Sequence, residues 1–140
     1  MRCASYLREM SMHPNESRLR AGYAAMASGN GKALAETLDP QARWHIPGNS
    51  PLAGEYQGLG AIFDFWKKVM ALSDGGMRLE VVDVLANDHH AVVFVLSRAT
   101  RKGVSLEERG VHVYELRNGK AISAHFYYED QAAYDAFWSA

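Results

Sequence analysis

At 140 residues, 48% hydrophobic and 22% charged, the chain has the length of one ordinary domain and the composition of a soluble one. Its 15 basic and 16 acidic side chains leave a formal net charge of -1, and no basic run stands out, which disfavours a nucleic-acid partner. No apolar run approaches the roughly 18 residues of a membrane span, and the lone Cys3, with no second cysteine to bridge to, points to a reducing cytoplasm.

In chain order, residues 1–13 read as a loose leader, with Met10 and Met12 as alternative starts; the stretch is too short of apolar residues for a signal peptide. A single domain is expected over residues 14–140. Pro14 and Glu16 open a helix, Gly29-Asn30-Gly31 stops it, and Leu19, Tyr23 and Met26 form its apolar face. A short helix is expected over 32–38 and a short strand over 42–46. The strand runs into "PGNSPLAGEYQG", a loop stiffened by Pro47 and Pro51 and rich in glycine, which has the composition of a rim. A third helix, residues 60–73, carries Ile62, Phe65, Trp66 and Val69 on one side.

From residue 77 the pattern changes to four long strands, 77–86, 91–101, 104–116 and 121–128, before a short closing helix. Helices followed by a meandering antiparallel sheet make an α+β domain. Two-residue turns at Lys102-Gly103 and Asn118-Gly119 set one register, and a three-residue loop with a bulge at Gly119 would shift the second pairing by one. Val93 and Val95 then face His112 and Gly110, while His112 faces His125 and Gly110 faces Tyr127. One face carries Val93, Val95, Ser97, Glu108, His112, Tyr114, His125, Tyr127 and Glu129, a mixed set that suits a cavity wall. The other carries Val92, Phe94, Leu96, Val111, Val113, Ile122, Ala124, Phe126 and Tyr128, and is apolar. If the helices cover the mixed face, the apolar one needs a second subunit. The reverse, with helices on the apolar face and a wet polar face, is slightly favoured by the alternation taken alone.

"AGYAAMASGN", "RWHIPGNSPLAGEYQG" and "GVHVYELRNGKAISAHFYYED" resemble the nuclear-transport-factor-2-like superfamily, which includes ketosteroid isomerase and SnoaL-like polyketide cyclases. The resemblance covers residues 15–140. It implies a cone-shaped α+β fold, its N-terminal helices packed on a curved antiparallel sheet that encloses a pocket, and a homodimer through the back of the sheet at Phe94, Val111, Val113, Phe126 and Tyr128. It also implies no cofactor and no metal.

Residue by residue the resemblance divides. Tyr23 occupies the place of the isomerase's oxyanion donor and His112 that of its second donor. The isomerase base is replaced by Ile46, which cannot take a proton. The last-strand aspartate of epoxide hydrolases and cyclases is replaced by Tyr127. The candidates are therefore His112 as acid or base, Tyr23 and Tyr127 as donors and His125 as a tuning partner. Trp44, Ile46, Tyr56, Phe65, Trp66, Val93, Val95 and Tyr114 would line the pocket. An enzyme performing proton transfer, isomerisation or cyclisation on an apolar, oxygen-bearing metabolite is one reading. A non-catalytic binding protein with the same pocket is the other.

Overall fold

The computed structural model describes residues 12–140. The expected leader, Cys3 included, lies almost wholly outside the described residues. The elements are α1 (Pro14–Ala27), α2 (Gly31–Glu36), β1 (Leu38–Ile46), β2 (Gly54–Gln57), α3 (Leu59–Leu72), β3 (Arg78–Ala86), β4 (His90–Arg101), β5 (Val104–Arg117), β6 (Lys120–Tyr128) and α4 (Gln131–Ser139). The six strands form one sheet in the order β2-β1-β6-β5-β4-β3. Only β1 and β6 run parallel; every other neighbouring pair is antiparallel. The domain is the α+β cone expected of the sequence, with the helices over the mixed face of the sheet.

Three of the four helices are capped at their N-termini by a side chain, α3 being the exception. The His13 imidazole caps α1 by accepting from the Asn15 amide at 3.0 Å. Buried Asn15 then donates to the Asn87 carbonyl at 2.9 Å, and His13 meets Asp88 at 2.9 Å. These bonds moor the start of α1 to the β3–β4 turn, so the helix crosses the sheet at a fixed place. Asn30 caps α2 by accepting from Ala33 at 3.1 Å, and Asp130 caps α4 by accepting from Ala133 at 3.0 Å.

Both hairpin turns have two residues with positive φ: 50° and 77° at Lys102-Gly103, 52° and 78° at Asn118-Gly119. That is the turn whose twist matches paired strands. Between β4 and β5 the expected register holds, with Val93 opposite His112 and Val95 opposite Gly110. Between β5 and β6 it holds only for Arg117–Lys120 and Leu116–Ala121. There β6 bulges at Ile122, and from Glu115–Ser123 onward every pair is displaced by one residue.

The displacement corrects the face assignment. His112 opposes Phe126 rather than His125, and Gly110 opposes Tyr128 rather than Tyr127. Ala124, Phe126 and Tyr128 therefore turn to the helices, and His125, Tyr127 and Glu129 to the outside. Burial of apolar surface explains the outcome: Phe126 is 5% exposed and Tyr127 52%. The unbulged strand would put a phenyl ring in water and a histidine in the core. Phe126 and Tyr128 are thereby removed from the outer surface expected to hold a second subunit. That surface displays Val82, Leu85, Phe94 and Tyr127 instead, with Val111 and Val113 half-buried among them.

Candidate functional site

The inner face of the sheet is filled by Trp44, Val93, His112, Tyr114 and Phe126, all buried. Three of the cone's polar side chains meet there. α1 presents Tyr23 toward β5, where His112 and Tyr114, two residues apart, point the same way. The Tyr23 hydroxyl hydrogen-bonds to His112 Nδ1 and lies 2.6 Å from the Tyr114 hydroxyl. The His112 ring stacks on Phe126 with centroids 4.0 Å apart, and it lies within 20° of parallel to the Tyr23 ring, 5.8 Å away.

This environment disfavours charge. Burial pushes the His112 pKa down to about 3 from its usual near-neutral value. Burial also raises Tyr23 and Tyr114 well above the ordinary phenol range; Tyr114 and Tyr128 add to the rise at Tyr23, whereas the hydrogen bond with Tyr23 works against it at Tyr114. The three groups are neutral across the physiological range: a bare imidazole nitrogen and two protonated phenols.

Two small voids flank Tyr23. The inner, about 30 Å³, lies beneath Trp44, Tyr114, Leu34 and Gly22, and has room for about one water-sized group. The Trp44 indole N–H beside it is buried without a hydrogen-bond partner among the described residues. The outer void, about 80 Å³, is bordered by Met26, Trp66, Met70, Met77 and Arg78. The wide pocket expected of the cone is thus closed down to two chambers with Tyr23 between them.

The rim at residues 47–53 stops the end of the cone. Leu52 is fully buried, and its carbonyl accepts from the Tyr56 hydroxyl at 2.7 Å. Asp135 on α4 accepts from the Asn49 amide at 3.2 Å. Gly48 makes this contact possible, because a Cβ there would stand 2.3 Å from Asp135 Oδ1. The rim acts as a latched plug and brings no acid to the histidine.

The sequence candidates are placed unequally. Tyr23, His112 and Tyr114 come together. Trp44 borders the inner void and Trp66 the outer one. Ile46, Tyr56, Phe65 and Val93 are packed in the core and border neither void, and Val95 likewise points inward beside Gly110. His125 and Tyr127 stand on the opposite face of the sheet, His125 with its ring centroid 5.4 Å from that of His45, itself 3.6 Å from Glu55. Met70 and Met77 were missed by the sequence reading, although Met70 stands one helical turn beyond Trp66, a spacing that could have revealed it. Among the described residues no three His, Cys, Asp or Glu side chains are grouped as a metal would require.

Comparisons with known proteins bear on the family and the fold. The model of the SnoaL-like domain matches residues 19–124. An uncharacterised protein of Mycobacterium tuberculosis (strain H37Rv) is 30% identical over 122 residues, covering 86% of this chain and 93% of its own. Among solved structures, Bal32a from a soil-derived mobile gene cassette superposes with a TM-score of 0.86 at 33% identity, over 89% of this chain and 96% of its own. TerC, co-crystallised with polyporic acid, superposes with a TM-score of 0.80 at 25% identity, over 91% of this chain and all of its own.

Proposed function

The chain belongs to the SnoaL-like domain family, and on that premise we propose that it takes up an apolar, oxygen-bearing small molecule at Tyr23 and moves a proton within it by means of His112. The observation that carries this reading is the buried hydrogen-bonded row Tyr114–Tyr23–His112. With His112 neutral, the row runs from the Tyr114 O–H to the Tyr23 oxygen and from the Tyr23 O–H to Nδ1, leaving the proton of the imidazole on Nε2. A ligand carbonyl inserted beside Tyr23 takes over its hydrogen bond, and Nδ1 is freed to accept a proton. The imidazolium so formed is costly in this apolar setting, so it returns the proton to another atom of the same molecule. Net isomerisation or cyclisation, with no co-reactant, follows from that return. TerC, co-crystallised with polyporic acid, supports a small organic ligand for this chain as well.

A thermal-shift panel of apolar ketones, epoxides, lactones and phenols against wild type and His112→Ala tests the reading, followed by turnover assays on the hits. Stabilisation and turnover that both need His112 uphold it. A second reading, binding without catalysis, is favoured by the pKa near 3 of His112, since a base so weak is poorly matched to neutral pH. It expects the same ligands to bind His112→Ala and none to be converted.

We also propose that the outer face pairs with a second copy, through Phe94, Val111, Val113 and exposed Tyr127, in the cytoplasm that a lone cysteine suits. No described helix is long and apolar enough to cross a membrane. Sedimentation of wild type as a dimer and of Val111→Glu as a folded monomer is the expected result; a monomeric wild type contradicts it.

A further inference from the structure

The walls of the cone differ in how readily they yield. The sheet side is set by Trp44, Val93 and Phe126, interlocked in the core, with Trp44 edge-on to Phe126 at 5.3 Å. The rim end is stopped by Leu52 and latched by Asp135. Between α1 and α3 the wall is instead made of Met26, Trp66 and Met70, all half-buried, with buried Met77 behind them. Unbranched thioethers re-pack at little cost, which branched and aromatic side chains do not. Met26 and Tyr23 border both voids, so a swing of the Met26 side chain joins the two chambers.

Arg78 borders the outer chamber. One guanidinium nitrogen is held by the carbonyls of Gly75 and Met77 at 2.9 and 2.8 Å, and among the described residues no carboxylate pairs with it. The remaining donors of the fork are those that bind carboxylates in pairs. At the other end of the same passage stand the Tyr23 and Tyr114 hydroxyls and the unpartnered Trp44 N–H, all of them able to donate to oxygen.

Resting on the reading above, we infer that the ligand enters between α1 and α3 through the methionine wall, and that it is an apolar, largely aromatic carboxylate. Its acid group pairs with Arg78 at the mouth, its ring system displaces Met26 and Met70, and its distal hydroxyl or carbonyl reaches Tyr23. Length and polarity are thereby both selected, because the charged end stays at the surface and only a neutral oxygen arrives among neutral partners.

Full-length protein labelled at the methionine methyl carbons, titrated separately with 6-hydroxy-2-naphthoate and 2-naphthol, tests this by NMR. The methyls of Met26, Met70 and Met77 shift with both probes, and Tyr23→Phe weakens both. Arg78→Gln, an exposed change that the fold tolerates, weakens the naphthoate about tenfold and leaves 2-naphthol within about twofold. Equal responses of the two probes to Arg78→Gln overturn the carboxylate assignment. Binding that needs Tyr23 but leaves the three methyls unmoved overturns the entry route while the proposed site stands. Binding that ignores both Tyr23 and the methyls, or no binding by either probe, overturns route and site together.

Discussion

The two faces of one sheet meet opposite fates. The inner face carries a histidine and two tyrosines, yet His112 and Tyr114 are buried and joined to Tyr23, and half-buried Tyr128 stacks on Tyr134 of α4. The outer face carries Val82, Leu85, Phe94 and Tyr127, yet these lie in solvent. Polarity therefore does not decide which face is covered. A polar group enters the core when a partner is waiting for it, as Tyr23 waits for His112. An apolar group stays outside when the helices are already committed elsewhere.

That contrast is broken most forcefully by altering one aromatic on each side. Phe126→Ala removes the ring on which His112 stacks and is expected to cost about 3–5 kcal/mol in chemical denaturation. Its neighbour Tyr127→Ala removes an exposed ring and should change monomer stability by no more than about 0.5 kcal/mol. The reverse order, with Tyr127→Ala the costlier change, would mean that β6 lies in the unbulged register after all.

Acid sharpens the contrast next. His112 in the folded chain stays neutral to about pH 3, whereas the unfolded chain protonates it near its usual value. The unfolded state thus binds the extra proton between these limits, and stability falls as pH falls through that window. His112 accounts for about 1.4 kcal/mol per pH unit of that loss, and His112→Leu removes its share from the slope of stability against pH. Base acts with the opposite sign. Tyr23, Tyr114 and Tyr128 hold their protons in the folded state beyond the pH at which the unfolded chain releases them, so stability falls as pH rises past about 10.

Smaller effects apportion the polar row itself. Tyr23→Phe leaves His112 Nδ1 and the Tyr114 hydroxyl without their shared partner and costs about 1–3 kcal/mol. Tyr114→Phe leaves the Tyr23–His112 bond intact and costs about 1 kcal/mol. The double variant falls short of the sum, because both changes delete the same contact.

Much of this was legible in the sequence, for reasons that lie in particular residues. Gly at the second position of each hairpin turn fixed the ends of three strands, and the bias of the inner strand positions toward His112 and Tyr114 exposed a wall worth covering. A bulge near the Asn118-Gly119 turn was one open reading, but its presence, and its place at Ile122, were not legible. In "AISAHFYY" each alternate set of positions holds an aromatic residue, so period-two alternation cannot choose between them. The choice is made by the core, which buries Ala121, Ala124 and Phe126 together, and that decision is tertiary. The same limit hid β2, whose four residues owe their extended form to pairing with β1. It also hid the extent to which Leu52 and three methionines close the cone, since a cavity is what remains after side chains are placed.

The central claim is that His112 is a neutral imidazole whose Nδ1 is held by Tyr23 at the floor of the cone. Nitrogen NMR of histidine-labelled protein, followed from pH 7 to 4, tests it most directly. The account predicts one imidazole that keeps a bare Nδ1 and a protonated Nε2 throughout, and that loses this signature in Tyr23→Phe. An imidazole at position 112 that takes up a proton near pH 6.5, or that carries its proton on Nδ1, would contradict it.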